Sequence, residues 1–151
     1  MKHIVLDSSP LGVLSNPAKT EEVKAITQWA TDCLMAGHSL YVPEVIDYEL
    51  RRELIRAKKA DGLAKLNGLK TTFSYLEITT PAMLLAAELW AQSRQSGTPT
   101  GDPKKLDIDC ILAAQARTLI IDAGDEFIIA TSNVSHLSQF VTAQLWTDIQ
   151  P

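Results

Sequence analysis

Ile4-Val5-Leu6-Asp7-Ser8-Ser9-Pro10, residues 4–10, is an apolar run that stops at an acid and is followed at once by turn-forming residues. Three apolar residues without polar alternation read as a short buried strand. The same pattern recurs outward along the chain. Leu40-Tyr41-Val42 is a second short strand, Tyr75–Ile78 a third, and Phe127–Ala130 a fourth that ends at Thr131-Ser132-Asn133. Ala143–Ile149 alternates weakly and reads as a fifth strand at the sheet edge. Helical periodicity fills the intervals. Lys19–Ala36 carries Val23, Ile26, Ala30 and Leu34 at helical spacing, with Gly37 as its stop. Pro43 opens a helix at its first turn and Thr80-Pro81 opens another. Further helical stretches are expected over Gly62–Leu69, Asp107–Ala123 (closed by Gly124) and His136–Phe140. Gly97–Lys105, with two prolines, two glycines and two lysines, reads as an exposed loop. Strands alternating with helices predict an α/β fold: a three-layer α/β/α sandwich around a central, mainly parallel sheet, in a single domain over residues 1–151.

Composition agrees. The 151 residues are 46% hydrophobic and 21% charged, an ordinary globular mix that excludes a disordered chain. No apolar run is long enough to span a bilayer, and the N-terminal apolar stretch is too short for a signal peptide. Cys33 and Cys110 make neither a disulfide framework nor a zinc pattern, so a reducing cytoplasm is the expected location. The net charge of −4 is unlike that of a typical nucleic-acid binder. Its distribution is uneven, however. Residues 51–70 hold Arg51, Arg52, Arg56, Lys58, Lys59, Lys65 and Lys70 against only Glu53 and Asp61. That strip is either a solvated helix face or a track for a polyanion.

Acids interrupt the apolar patterns at telling places. Asp7 directly follows the first strand, at the carboxyl edge where open α/β sheets bind ligands. Glu49 shares a helical face with Val45 and Ile46, and Asp109 with Leu112 and Ala113. Asn133 repeats after the fourth strand the position of Asp7 after the first. Inward-facing carboxylates are costly unless something positive offsets them, and hard divalent cations suit such oxygen donors. Each acid also has a plain structural reading. Asp7 can cap the following turn, Glu49 can pair with Arg52 at a rim, and Asp109 can serve the helix dipole with Asp107 as N-cap.

Four stretches then agree in order and spacing with one family. They are Ile4–Leu11, Val42–Leu54, Leu106–Ala116 and Ile128–Leu137. Over nearly its whole length the chain resembles PIN-domain ribonucleases, in particular VapC-type toxins of toxin–antitoxin pairs. The resemblance implies a parallel sheet flanked by helices, with Asp7, Glu49 and Asp109 at the family's metal-binding acids. The fourth acid usually stands two residues beyond a Thr after the fourth strand. Thr131 is present, but Asn133 stands where Asp is common. An amide oxygen still binds a hard cation but removes one negative charge. Asp107 would reach the metal only from a non-helical cap position, because two residues on a helix point about 200° apart.

The implied activity is Mg²⁺- or Mn²⁺-dependent endoribonucleolytic hydrolysis of RNA, leaving 5′-phosphate and 3′-hydroxyl ends. Asp7, Glu49, Asp109 and Asn133 would carry it, with Ser8, Arg51, Arg52 and Thr131 contacting substrate. A small antitoxin protein and a homodimer, with dimer surfaces near Trp29 or Trp90, are the implied partners. The alternative is a catalytically weak or inactive PIN module that binds RNA or protein, which Asn133 and the acidic net charge favour. A phospho-receiver is disfavoured, since only Asp7 follows the first strand where an acid pair would be needed, and no phosphate-binding glycine loop exists. His3, His38 and His136 lack ligand spacing, although His136 lies three residues after Asn133 and could sit at the pocket rim. Cys110 reads as a small hydrophobe beside Asp109, and Met35 and Met83 as core filling.

Overall fold

The computed structural model describes residues 1–97 and 103–151. In chain order the elements are β1 (Lys2–Leu6), α1 (Ser8–Leu14), α2 (Glu21–Met35), β2 (Ser39–Pro43), α3 (Glu44–Arg56), α4 (Ala60–Thr72) and β3 (Ser74–Leu76). Then follow α5 (Thr80–Gln95), α6 (Pro103–Arg117), β4 (Glu126–Ala130), α7 (Val134–Leu137), β5 (Ala143–Gln144) and a 3₁₀ turn at Trp146–Asp148.

The strands form one sheet in the order β3-β2-β1-β4-β5, parallel at every pairing. Helices flank it, so the α/β sandwich expected from the sequence is present, with a wholly rather than mainly parallel sheet. Its centre is apolar because β1 reads Ile4-Val5-Leu6 without alternation and is buried on both faces. Ile4 lies in register with Leu40 of β2 and Ile128 of β4. The chain builds outward from β1 to β3, then crosses back to add β4 and β5 on the other side. The carboxyl ends of β1 and β4 therefore flank the point where strand order reverses, the usual crevice of such sheets.

Local chemistry sets the helix ends. Thr20 accepts a hydrogen bond from the Val23 amide (3.2 Å) to start α2, and Gly37, at φ 89°, turns the chain after it. Thr79 caps α5 in the same way, accepting from the Ala82 amide at 3.2 Å. Pro43 offers α3 no side-chain cap; the Val45 amide donates instead to Oε1 of the buried Gln115, at 3.4 Å.

Several expected boundaries move. Helix α6 begins at Pro103, not Asp107, and ends at Arg117, not Ala123. Beyond Arg117 the apolar residues no longer face the core, and Ile120 is 95% exposed. Gly124 (φ 93°) belongs to the turn before β4, not to a helix stop. Residues 98–102 of the expected loop lie outside the described residues, while Lys104 and Lys105 are helical. Strand β3 stops at Leu76 because the Ile78 amide turns to Glu44 Oε1, at 3.1 Å. The fifth strand shrinks to two residues before the 3₁₀ turn. Met35 and Met83 are surface residues, 83% and 45% exposed, rather than core filling. Trp29 is core, its indole N–H donating to the Ile149 carbonyl at 2.9 Å, whereas Trp90 is partly exposed beneath Arg94. Among the described residues no helix is long and apolar enough to cross a membrane.

Candidate active site

Asp7 is the first residue beyond β1 and the N-cap of α1. Its Oδ1 accepts from the Ser8 amide at 2.7 Å, so the capping role is real. Its Oδ2 accepts from the Thr131 hydroxyl at 2.7 Å, across the switch point. Thr131 in turn accepts from the Asn133 amide at 2.9 Å and is almost fully buried. With its hydroxyl engaged on both sides, Thr131 holds Asp7 in place. Asn133 is half-buried at the entry to α7, and its side chain makes no capping bond.

Glu49 projects from α3 and is half-buried. Burial pushes its carboxyl above the usual range, and the charge of Asp7 adds to that. A hydrogen bond from Ser8 and the charges of Arg52 and Lys105 pull the other way. Ser8, expected at the substrate, thus points its side chain at Glu49. Asp109, the seventh residue of α6, is buried rather than lying in the first turn. Its Oδ2 lies 3.0 Å from His136 Nδ1. Burial raises its pKa, the bond to His136 opposes that, and Asp7 raises it further. One strand end and two helices therefore place Asp7 within electrostatic reach of both Glu49 and Asp109. His136 contacts Asp109 from α7.

Asp107 does not join them. It is exposed inside α6, not at a cap, and lies in an α5–α6 groove with Met83, Ala86, Trp90 and Ile111. The helix carries it round to a different face from Asp109.

The sequence reading missed a further buried acid, Asp47. Arg51 (2.9 Å) and Lys70 (3.4 Å) neutralise it, and the Tyr75 hydroxyl donates to it at 3.3 Å. Arg51 also donates to Asn67 Oδ1 at 2.8 Å. Arg51 thus joins α3 to α4 as a structural cation, its guanidinium already engaged by Asp47 and Asn67. Much of the basic strip is engaged in the same way. Arg56 pairs with Glu53 at 2.9 Å, and Lys65 donates to the Asn16 carbonyl at 2.7 Å. Arg52 lies over the Tyr48 ring at 5.1 Å. The other missed residue is Lys105, whose signal was its spacing of four before Asp109.

The donors at the switch point are carboxylate oxygens and one amide, which suits a hard divalent cation. Two of the three carboxyls are raised in pKa and Asp7 raises both, as expected of acids facing one another without a paired arginine. In this arrangement no three Asp, Glu, His or Cys side chains among the described residues stand close enough to enclose an ion. Thr131 and His136 instead hold Asp7 and Asp109. The donor chemistry fits a metal, but a closed ligand cage is absent. A cavity of about 550 Å³ lies elsewhere, between α1 and the α3–α4 turn, and none of these acids lines it.

No protein-family model matches the sequence, and no curated protein matches it either. Solved structures do. The chain superposes on VapBC2 from Rickettsia felis, solved bound to a DNA fragment from its promoter, with a TM-score of 0.67 at 14% identity, covering 97% of this chain and 99% of the other. VapBC-1 from nontypeable Haemophilus influenzae gives 0.66 at 16%, covering 98% and 100%. FitAcB from Neisseria gonorrhoeae gives 0.65 at 15%, covering 97% and 99%. The chain therefore has the PIN-domain α/β fold, with an all-parallel five-stranded sheet. Within that class its likeness is to chains of solved VapBC and FitAB complexes, the resemblance already carried by the four sequence stretches.

Proposed function

We propose that the chain is a divalent-metal-dependent endoribonuclease, the toxin of a toxin–antitoxin pair, acting as one domain in the cytoplasm. The observation that supports this reading is that the Asp7 carboxylate acts on both Glu49 and Asp109 beside the switch point, with no arginine ion-paired to any of the three among the described residues. Asp47, two residues before Glu49 and more deeply buried, shows how this chain treats a structural acid: it pairs it twice.

Asp7, Glu49 and Asp109 would hold Mg²⁺ or Mn²⁺, with the Asn133 amide as a neutral donor. When bound, the ion polarises the phosphodiester and lowers the pKa of the attacking water. The protein's own part is orientation. Thr131 and the Ser8 amide fix the Asp7 carboxylate, Ser8 steadies Glu49, and His136 aims Asp109. Asp107 is left out of the ligand set by its place on α6. The expected products carry 5′-phosphate and 3′-hydroxyl ends.

An antitoxin partner is supported by relatives solved as VapBC and FitAB complexes. A homodimer would use the Trp90 face of α5, where Met83, Leu84 and Trp90 are exposed, since Trp29 is core. The test is cleavage of single-stranded RNA with Mn²⁺ or Mg²⁺, with and without EDTA, beside Asp7→Asn. Cleavage that needs metal and is lost in the variant supports the reading; equal cleavage by both proteins overturns it. Asn133, together with the absence of a closed ligand cage among the described residues, favours a second reading: a PIN module that binds RNA without turning it over. RNA binding with no metal-dependent cleavage would select it.

A further inference from the structure

A polyanion cannot approach three carboxylates unless cations flank them. Most of the strip's cations are unavailable for that. Arg51 and Lys70 hold Asp47, Arg56 pairs with Glu53, and Lys65 is bound to the chain at Asn16. Lys58 and Lys59 lie beyond the end of α3, which itself runs seven residues, about 10 Å, past Glu49. Two cations remain beside the acids, one on each of two helices. On α3, Arg52 follows Glu49 by three residues; on α6, Lys105 precedes Asp109 by four. At those spacings each cation shares a helix face with its acid. The two helices pack against each other, and both cations are exposed. The electrostatics agree: Glu49 feels both Arg52 and Lys105, and Asp109 feels Lys105.

The Arg52 side carries a second feature. Tyr48, directly before Glu49, is 58% exposed, unusually open for so large a ring. The Arg52 guanidinium covers one ring face at 5.1 Å. An exposed aromatic ring backed by a cation is what a nucleobase stacks on, and such stacking tolerates any base.

We propose that single-stranded RNA crosses the acidic pocket from α3 to α6, with a base stacked on Tyr48, one phosphate held by Arg52 and another by Lys105. This rests on the ribonuclease reading and replaces the 51–70 strip as the substrate track. Arg52 and Lys105 set the position of the chain over Glu49, and Tyr48 adds grip without sequence preference.

The test is fluorescence anisotropy of a labelled RNA oligomer over a salt series, in EDTA so that cleavage cannot interfere. Thermal melting confirms that each variant is folded. Arg52→Met and Lys105→Met should each flatten the plot of log K against log salt by about 0.7, the loss of one single-strand phosphate contact. Lys24→Met, on α2, should leave the slope unchanged. Tyr48→Ala should weaken binding by roughly 5- to 150-fold, and that penalty should vanish on an oligomer with abasic nucleotides. Slopes like that of the unaltered protein in both cation variants overturn the track. A Tyr48→Ala penalty that persists on abasic RNA, or a change in self-association alone, overturns the stacking role and marks a protein contact instead. If the unaltered protein binds no RNA in EDTA, the track is overturned, whereas the ribonuclease reading stands or falls separately on metal-dependent cleavage.

Discussion

Two buried aspartates in this chain have opposite surroundings. Asp47 lies between Arg51 and Lys70 and under the Tyr75 hydroxyl, whereas Asp109 faces other acids and has His136 as its hydrogen-bond partner. Removing the charge should therefore have opposite effects. Asp47→Asn leaves two cations without their anion and should cost about 1–3 kcal/mol, below the full cost of breaking a buried pair because both cations are partly solvated. Asp109→Asn, measured in EDTA, relieves repulsion and should raise stability, as sites strained for function often do when neutralised. Urea midpoints measure both, and equal destabilisation would remove the distinction between structural and functional acid. A third carboxylate sets a pH dependence. Hydrogen bonds from His3 and the N-terminal ammonium hold Asp125 below the usual range. A depressed native pKa gives stability that is complete above the ordinary carboxylate range and is lost as pH falls through the native value. Asp125→Asn should remove that component, so the variant's stability should fall less on acidification. Parallel acid limbs for the two proteins would show that the contact contributes nothing.

At the scale of elements, helix α4 gives the cleanest measurement. Gly68 lies exposed in its interior, and an added Cβ there would meet no atom within 4 Å. Gly68→Ala should stabilise by about 0.5–1 kcal/mol, because it removes only backbone freedom. Thr20→Ala should cost about 1 kcal/mol by freeing the Val23 amide at the start of α2. Thermal midpoints read both, and opposite signs are expected. Helix α2 was legible in the sequence because its stop signal is local and strong: Gly37 takes the left-handed turn that the reading assigned it. The ends of α6 were not legible. Asp107 looked like a cap, yet the helix already runs from Pro103, and Gly124 looked like a stop for a helix that ends at Arg117. Whether an apolar stretch such as Leu119–Ile121 continues a helix depends on what lies beneath it, and Ile120 has only solvent. Arg51's surroundings were only half legible: Asp47 stands four residues before it on α3, but Asn67 and Lys70 reach that pair from α4, which no periodicity within α3 encodes.

The whole molecule is organised by one topological fact that the sequence did carry. The central strands β1, β2 and β4 are short and largely apolar, so the middle of the sheet is buried and parallel, and a parallel sheet that builds in both directions from β1 must open a crevice between β1 and β4. Asp7 directly follows β1 and Asn133 lies three residues beyond β4, so both flank that crevice. The distances between the acids were not legible, because they depend on how α3 and α6 lean on each other and on Thr131 and His136, which reach Asp7 and Asp109 from 124 and 27 residues away. If the crevice is a metal site, the ion closes what the protein leaves open: it draws together carboxylates that otherwise repel, and its binding free energy adds to that of the fold. Mn²⁺ at about a hundred times its dissociation constant should then stabilise by roughly 2.7 kcal/mol, or about 5–10 °C in thermal midpoint for a chain of this size. Asp7→Asn should lose that shift, whereas Asp47→Asn, although less stable to begin with, should keep it, since its partners lie outside the crevice. The measurement needs no substrate and no turnover. An unaltered midpoint in both Mn²⁺ and Mg²⁺ would mean that the three acids do not act as one ligand set, whatever RNA the protein binds.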